Sequence, residues 1–293
     1  MPAAVPGEPG VTFLGVSTLL ITDGEHSLMT DGFFSRPGLL RVGLGRIAPS
    51  PARIDAALDR ALGDAGLSGI DAVVPVHSHF DHVMDSAVVA GRTGADLVGG
   101  PSTAQVGHGA ALTADRIRVV RSGETVSYGA HTLTFVESAH CPPDRYPGSI
   151  DAPVVPPARA SAYRCGEAWS LVVTHSSGRS MLVQGSAGFV PGALDGHRAD
   201  VAYLGIGQLG VQSEEYITEY WNQTVRAVGA RRVVLTHWDD FFRPLDRPLR
   251  ALPYVGDDLD ASMAVLDRLA AQDGIAVHLP TLWRRENPWA TGV

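Results

Sequence analysis

One junction constrains the fold of this chain more than any other feature. The apolar run Asp71-Ala-Val-Val-Pro-Val76 passes without a break into His77-Ser78-His79-Phe80-Asp81-His82. Valines dominate the run, so it reads as a buried strand, and the apolar stretch Val83 to Ala90 beyond the histidines reads as a helix. A strand-to-helix turn of this kind lies at the carboxyl end of a strand, where α/β sheets gather their chemistry. Three imidazoles and one carboxylate at such a turn form a donor set for a borderline divalent cation such as zinc. The alternative is a polar loop that is histidine-rich by accident. With only 11 histidines in 293 residues, four metal-competent side chains within six positions favour the ligand reading.

The rest of the chain alternates strand and helix signals. Ser50-Pro51 places an N-cap before a proline at the first helical position, and Ile54, Leu58 and Leu62 then recur at helical spacing up to Gly63–Gly66. Leu97-Val98 and Ile117 to Val120 read as short strands either side of a helix beginning near Pro101, and Thr132 to Glu137 alternates as a strand running into His140. Ser213-Glu214-Glu215 starts a helix whose buried face carries Ile217, Trp221, Val225 and Val228. Arg231 to Thr236 reads as a buried strand delivering His237, and Leu259, Met263, Leu266 and Leu269 form a last helical stripe. Neither a repeat nor a linker divides the chain, so residues 1–293 are expected to form one domain.

The hexapeptide resembles the HxHxDH motif of the metallo-β-lactamase superfamily, and further landmarks match in order and spacing. Val11 to Ile21 and Ser27 to Ser35 resemble the opening hairpin of that fold, with Asp31 at the position that stands behind the metal ligands. Ser138-Ala-His140-Cys-Pro matches the segment supplying the first metal's third histidine, and Val233-Val-Leu-Thr-His237-Trp-Asp-Asp the closing strand whose histidine completes the second. The opening and closing segments look most like the branch of ascorbate-6-phosphate lactonases and N-acylphosphatidylethanolamine phospholipases. The resemblance implies an α/β (α+β) fold, an αββα sandwich of two mixed β-sheets flanked by helices.

It also implies a ligand set. His77, His79 and His140 would give one metal three neutral nitrogens and leave a fourth position open, as catalytic zinc requires. Asp81, His82 and His237 would hold a second, and Asp81 would orient the shared hydroxide that two cations generate at neutral pH. One landmark departs from the family. Its bridging aspartate is expected in the segment Met181-Leu-Val-Gln-Gly185-Ser186, where this chain has serine. A hydroxyl is a poor ligand, so the second metal is expected to bind more weakly, with Asp239 or Asp240 the candidates to compensate. One or two zinc ions per chain are expected, and iron or manganese suits the same donors.

Bulk properties set limits. A net charge of −8 and an isoelectric point near 5.7 argue against a nucleic-acid partner. No segment has the uninterrupted apolar length of an integral membrane span. The segment Met1 to Gly10 lacks the basic and apolar regions of a secretory signal, and two cysteines make no disulfide framework, so a cytoplasmic location is expected.

Residues 141–166 carry prolines at 142, 143, 147, 153, 156 and 157 and read as a long loop starting directly after a ligand. Such loops are often functional. This one is expected to cover the site and to offer Arg145, Tyr146, Arg159, Tyr163 and Arg164 to a small-molecule substrate. His26, His108, His131, His175, His197 and His278 lack ligand partners nearby in sequence and read as surface or hydrogen-bonded core residues. The leading expectation is a metal-dependent hydrolase of an ester, lactone or phosphodiester, using a metal-bound hydroxide. The alternatives are an iron-dependent redox enzyme on the same fold and a non-catalytic binding protein with a weakened metal site.

Overall fold

The computed structural model describes residue 1 and residues 8–290, so most of the N-terminal segment read above lies outside the described residues. Among the described residues the strands form two seven-stranded sheets. The first opens with β1 (Gly10–Phe13), β2 (Leu19–Thr22) and β3 (Ser27–Thr30), paired antiparallel. It continues in parallel through β4 (Ala72–Val74), β5 (Asp96–Gly99) and β6 (Ile117–Val119). The second follows the same plan. β7 (Thr125–Tyr128), β8 (His131–Ser138), β9 (Ala168–His175) and β10 (Ser180–Gln184) are antiparallel neighbours. β11 (Val201–Gly205), β12 (Arg232–Thr236) and β13 (Ala276–His278) then add in parallel. A final short strand, β14 (Arg285–Glu286), returns to pair with β1. Both sheets are therefore mixed, and the architecture is the expected αββα sandwich.

Parallel neighbours require crossovers, and helices supply most of them. They are α1 (Leu39–Leu44), α2 (Pro51–Ala65), α3 (Phe80–Val83), α4 (Ser86–Thr93), α5 (Pro101–Gly109), α6 (Glu214–Trp221) and α7 (Leu259–Asp273). Alternation along the strands explains the layering. In β10, Met181 and Val183 face the other sheet, whereas Leu182 packs with Ile217, Trp221 and Leu266 of α6 and α7. In β4, Val74 faces inward and Val73 packs with Ile54 and Leu58 of α2 and Val89 of α4. Strands covered on both faces read as continuous apolar runs, which is why the sequence signal was strong there.

One local expectation changes. The helix expected over Val83–Ala90 is two helices, and the first begins inside the motif at Phe80. Ser50 is the N-cap of α2 and Pro51 its first residue, as expected, although the Ser50 side chain makes no cap bond; its N–H donates to Ser35 Oγ at 2.6 Å. Ser213, in contrast, does cap α6 by accepting from the Tyr216 N–H. Among the described residues no helix is long and apolar enough to cross a membrane. Cys141 and Cys165 are both free and buried.

Candidate metal centre

Four strand ends converge on one cavity. After β4, Pro75 and Val76 lead to His77, and the Val76 N–H donates to Asp31 Oδ1 at 2.9 Å, fixing the exit of the strand. His79 is the extended N-cap of α3, and the first turn of that helix lifts Asp81 and His82 from the same short segment. β8 runs out at Ser138 and delivers His140, β10 delivers Ser186, and β12 delivers His237. His237 is held in a left-handed conformation (φ 56°) by its N–H donating to Val16 O at 2.7 Å, and Val16 is itself left-handed at φ 52°. For a β-branched residue that geometry is strained, and strain of this kind collects at functional sites.

The side chains meet as two sets, His77, His79 and His140 in one and Asp81, His82 and His237 in the other, with the ligand atoms of each set within 4.8 Å of one another. His77 Nε2 stands 3.2 Å from His79 Nδ1, and His82 Nε2 stands 3.2 Å from His237 Nε2. Asp81 Oδ2 lies 3.4 Å from His237 Nε2 and 3.7 Å from His82 Nε2. Two donors each about 2.0–2.1 Å from one tetrahedral zinc stand roughly 3.3 Å apart, so these separations fit shared cations.

The opposite ring nitrogens support this reading. His82 Nδ1 lies 2.8 Å from Asp31 Oδ2, and both side chains are fully buried. His79 Nε2 lies 3.1 Å from Asp144 Oδ1, and His140 Nδ1 donates to Cys141 O at 2.6 Å. A ring that gives its outer N–H to a carboxylate or carbonyl turns a lone pair inward, the arrangement metal-binding histidines adopt. Burial, with the facing His82, His79 and His140, holds His77 well below the usual imidazole range. Burial beside His79 pushes His140 down to about 4. Both rings are neutral near pH 7 and able to ligate. Asp81 is held below the usual carboxylate range: burial opposes this, but His82 and His237 outweigh it.

Ser186 lies on the cavity wall, 8% exposed, and its Oγ accepts from the Cys141 N–H at 3.0 Å. The two candidate substitutes for the missing carboxylate are engaged elsewhere. Asp239 accepts from the Val16 N–H at 2.8 Å and forms an ion pair with Arg36 at 2.7 Å, both side chains having no exposure. Asp240 lines the cavity but is paired with Arg250 at 2.8 Å. Cys141 points away from the ligands into the core of the second sheet, and burial pushes its thiol up to about 12.

The cavity above the ligands has a volume of about 610 Å³ and is reached by His79, Asp81, His140, Ser186 and His237. Of the five loop residues expected at the site, Arg145 and Tyr146 line it. The other three are placed elsewhere. Tyr163 is buried among Phe33, Val83 and Val154, Arg159 is exposed, and Arg164 borders a separate surface hollow with Ser149 to Val155. Asp144, four residues beyond His140, was not legible in the sequence, because a lone carboxylate in a proline-rich loop looks like any solvated one. Sequence reasoning also missed Arg36, whose contact with Asp239 spans the chain, and the wall formed by Phe241, Phe242, Arg243 and Arg247.

A family model described as "Beta-lactamase superfamily domain" matches residues 47–238. No curated protein matches the sequence. Among solved structures, a metallo hydrolase from the hyperthermophilic archaeon Ignicoccus hospitalis is 14% identical with a TM-score of 0.59, over 95% of this chain and 97% of that one. The isothiocyanate hydrolase from Delia radicum gut bacteria is 14% identical with a TM-score of 0.55, over 96% and 100%. CmlA, a diiron beta-hydroxylase from Streptomyces venezuelae, is 13% identical with a TM-score of 0.55, over 96% of this chain and 54% of that one. At these identities the likeness is one of fold.

Proposed function

The chain belongs to the family described as the beta-lactamase superfamily domain, and on that premise we propose that it is a metal-dependent hydrolase of a small-molecule ester, lactone or phosphodiester. The observation that carries this reading is the pair of three-donor sets, each with its donor atoms within 4.8 Å of one another, at the floor of a cavity large enough for a small substrate. His77, His79 and His140 would hold one zinc, and Asp81, His82 and His237 the other. When bound, such cations supply Lewis acidity that acidifies water and polarises the substrate oxygen.

The chain's own groups do the rest. Asp81, a carboxylate among imidazoles, accepts a hydrogen bond from the attacking water and orients it toward the carbonyl or phosphoryl centre. Asp31 and Asp144 hold the rings of His82 and His79 in place. Phe80, Phe241, Phe242 and Leu252 line the cavity together with Arg145, Arg243 and Arg247, so it offers apolar surface that excludes water and guanidinium groups that attract an anion. A substrate with an anionic group and an apolar portion suits both, in keeping with the resemblance to the lactonase and phospholipase branch.

The donor set of imidazole and carboxylate, without thiolate, also suits iron, so the second reading is an iron-dependent redox enzyme. Metal-stripped protein should be reloaded with zinc or iron and assayed on a 4-nitrophenyl ester, a γ-lactone and bis(4-nitrophenyl) phosphate. Zinc-restored hydrolysis of at least one bond type is expected. Fully loaded protein that cleaves none of the three would overturn the hydrolase reading.

A further inference from the structure

The end of the sandwich remote from the cavity carries another cluster of metal-competent side chains. His131 opens β8 and His175 closes β9, and the antiparallel register sets them directly opposite each other. Their ring centroids are 5.1 Å apart. Asp23 reaches them from the other sheet, in the turn that follows β2. Its Oδ2 lies 3.3 Å from His175 Nε2, and its Oδ1 is fixed by the N–H groups of Glu25 and His26 at 2.9 and 2.8 Å. One donor atom from each of the three lies within 4.8 Å of the other two. The sequence had marked both histidines as lacking ligand partners; cross-strand pairing and a turn from the opposite sheet provide them.

The second observation is His131 itself. It is 1% exposed, and neither ring nitrogen has a hydrogen-bond partner. A buried imidazole without a partner for either nitrogen is an exception that calls for a ligand. His175 is oriented to share that ligand. Its Nδ1 accepts from the Ser177 N–H at 3.2 Å, with Ser177 Oγ 2.8 Å away, so the proton of the neutral ring sits on Nε2 and points at Asp23 Oδ2. A cation held between Nε2 and the carboxylate takes the place of that proton. A nearby second carboxylate, Asp71, is occupied by the Ser27 N–H at 2.8 Å and by His26.

We propose that Asp23, His131 and His175 bind one divalent transition-metal cation of the zinc class. Two imidazoles and one carboxylate favour zinc over calcium or magnesium. Asp23 and His175 keep side-chain exposures of 13% and 14%, so a fourth position is open to water. The ion clamps the β2 turn of the first sheet to the β8–β9 pair of the second. It sits at the opposite end of β8 from His140, and that eight-residue strand alone spans roughly 24 Å at about 3.4 Å per residue.

The full-length chain, stripped with chelator, should be titrated with zinc and with cobalt as a spectroscopic probe, alongside His175→Gln and Asp23→Asn. Each variant should bind one equivalent fewer than the parent and lose one component of the cobalt visible absorption, while its hydrolytic turnover stays at the parent's level. Equal metal counts in the parent and both variants would overturn the site, leaving a plain Asp23–His175 contact. Should one variant fail to fold, a zinc-soaked crystal of the parent decides. An anomalous peak between the three residues supports the site, and its absence where the cavity ligands are occupied rejects it. The metal counts, the cobalt absorption and the anomalous peak do not depend on which bond the cavity hydrolyses.

Discussion

The two proposed ligand sets at the cavity floor are built from different kinds of parts. Asp81, His82 and His237 are braced from inside the protein. His82 leans on the buried Asp31, and His237 hangs from Val16, whose N–H is held by Asp239, itself paired with the fully buried Arg36. His77, His79 and His140 are finished from outside, by a loop whose Asp144 holds His79 and whose first carbonyl holds His140. The inner set is positioned by strand ends and buried charge, the outer set by the same segment that brings Arg145 and Tyr146 to the cavity. Retention of the inner metal and substrate choice therefore rest on separable pieces of the molecule, whereas the outer metal shares its segment with the substrate wall, and substitutions should show the difference.

The largest effect is expected at the outer set. His79→Ala removes a donor that no neighbour replaces, because Asp144 faces the other ring nitrogen. Elemental analysis should find one metal fewer per chain, and hydrolysis should fall to background. Full metal content with normal turnover would remove His79 from the centre.

Next comes the buttress of the inner set. Asp239→Asn leaves the Arg36 guanidinium charged and buried, and breaking one partner of a buried pair costs about 3–5 kcal/mol. Denaturant midpoints should register that loss, with the inner metal weakened as well. A change below about 1 kcal/mol would mean that the pair is replaceable and that strain at Val16 and His237 is held by something else.

A narrower effect is expected at Asp31. Replacing it with Asn keeps the volume but removes the charge behind His82, and such changes commonly cost 10–100-fold in metal affinity. The loss should fall on the inner set alone. Equal weakening of both sets would show that they bind as one cooperative unit, and the contrast drawn above would fail.

What the sequence revealed follows the same divide between local and distant. The hexapeptide was legible because four donors lie within six consecutive residues, and the strands around it because both faces are buried. His140 and His237 were legible only through the family pattern, since each arrives at the end of a different strand. Arg36 with Asp239, and Asp23 with His131 and His175, carried no signal at all. Their contacts join residues more than a hundred positions apart, or across a register that becomes visible only when β8 and β9 pair. Residue type alone also misled: Tyr163 sits in a loop of polar character, yet it faces inward as part of the packing beneath that loop.

The smallest and most discriminating effect concerns Ser186. Two pulls oppose each other at the inner set. The hydroxyl withholds the bridging charge that would offset repulsion between two cations about 3.5–4 Å apart, whereas Asp81 and the Asp31 behind His82 supply negative charge of their own. Ser186→Asp adds a carboxylate on the cavity wall, and one of its oxygens can keep the bond that Ser186 Oγ now accepts from the Cys141 N–H. Metal titration of stripped protein should show the weaker of the two steps tightening and stoichiometry moving toward two, while turnover stays level or falls, because added negative charge makes bound water less acidic. If the natural protein already titrates with two equally tight steps and the variant does not differ, Asp31 and Asp81 suffice without a bridge, and the serine is a neutral part of the wall.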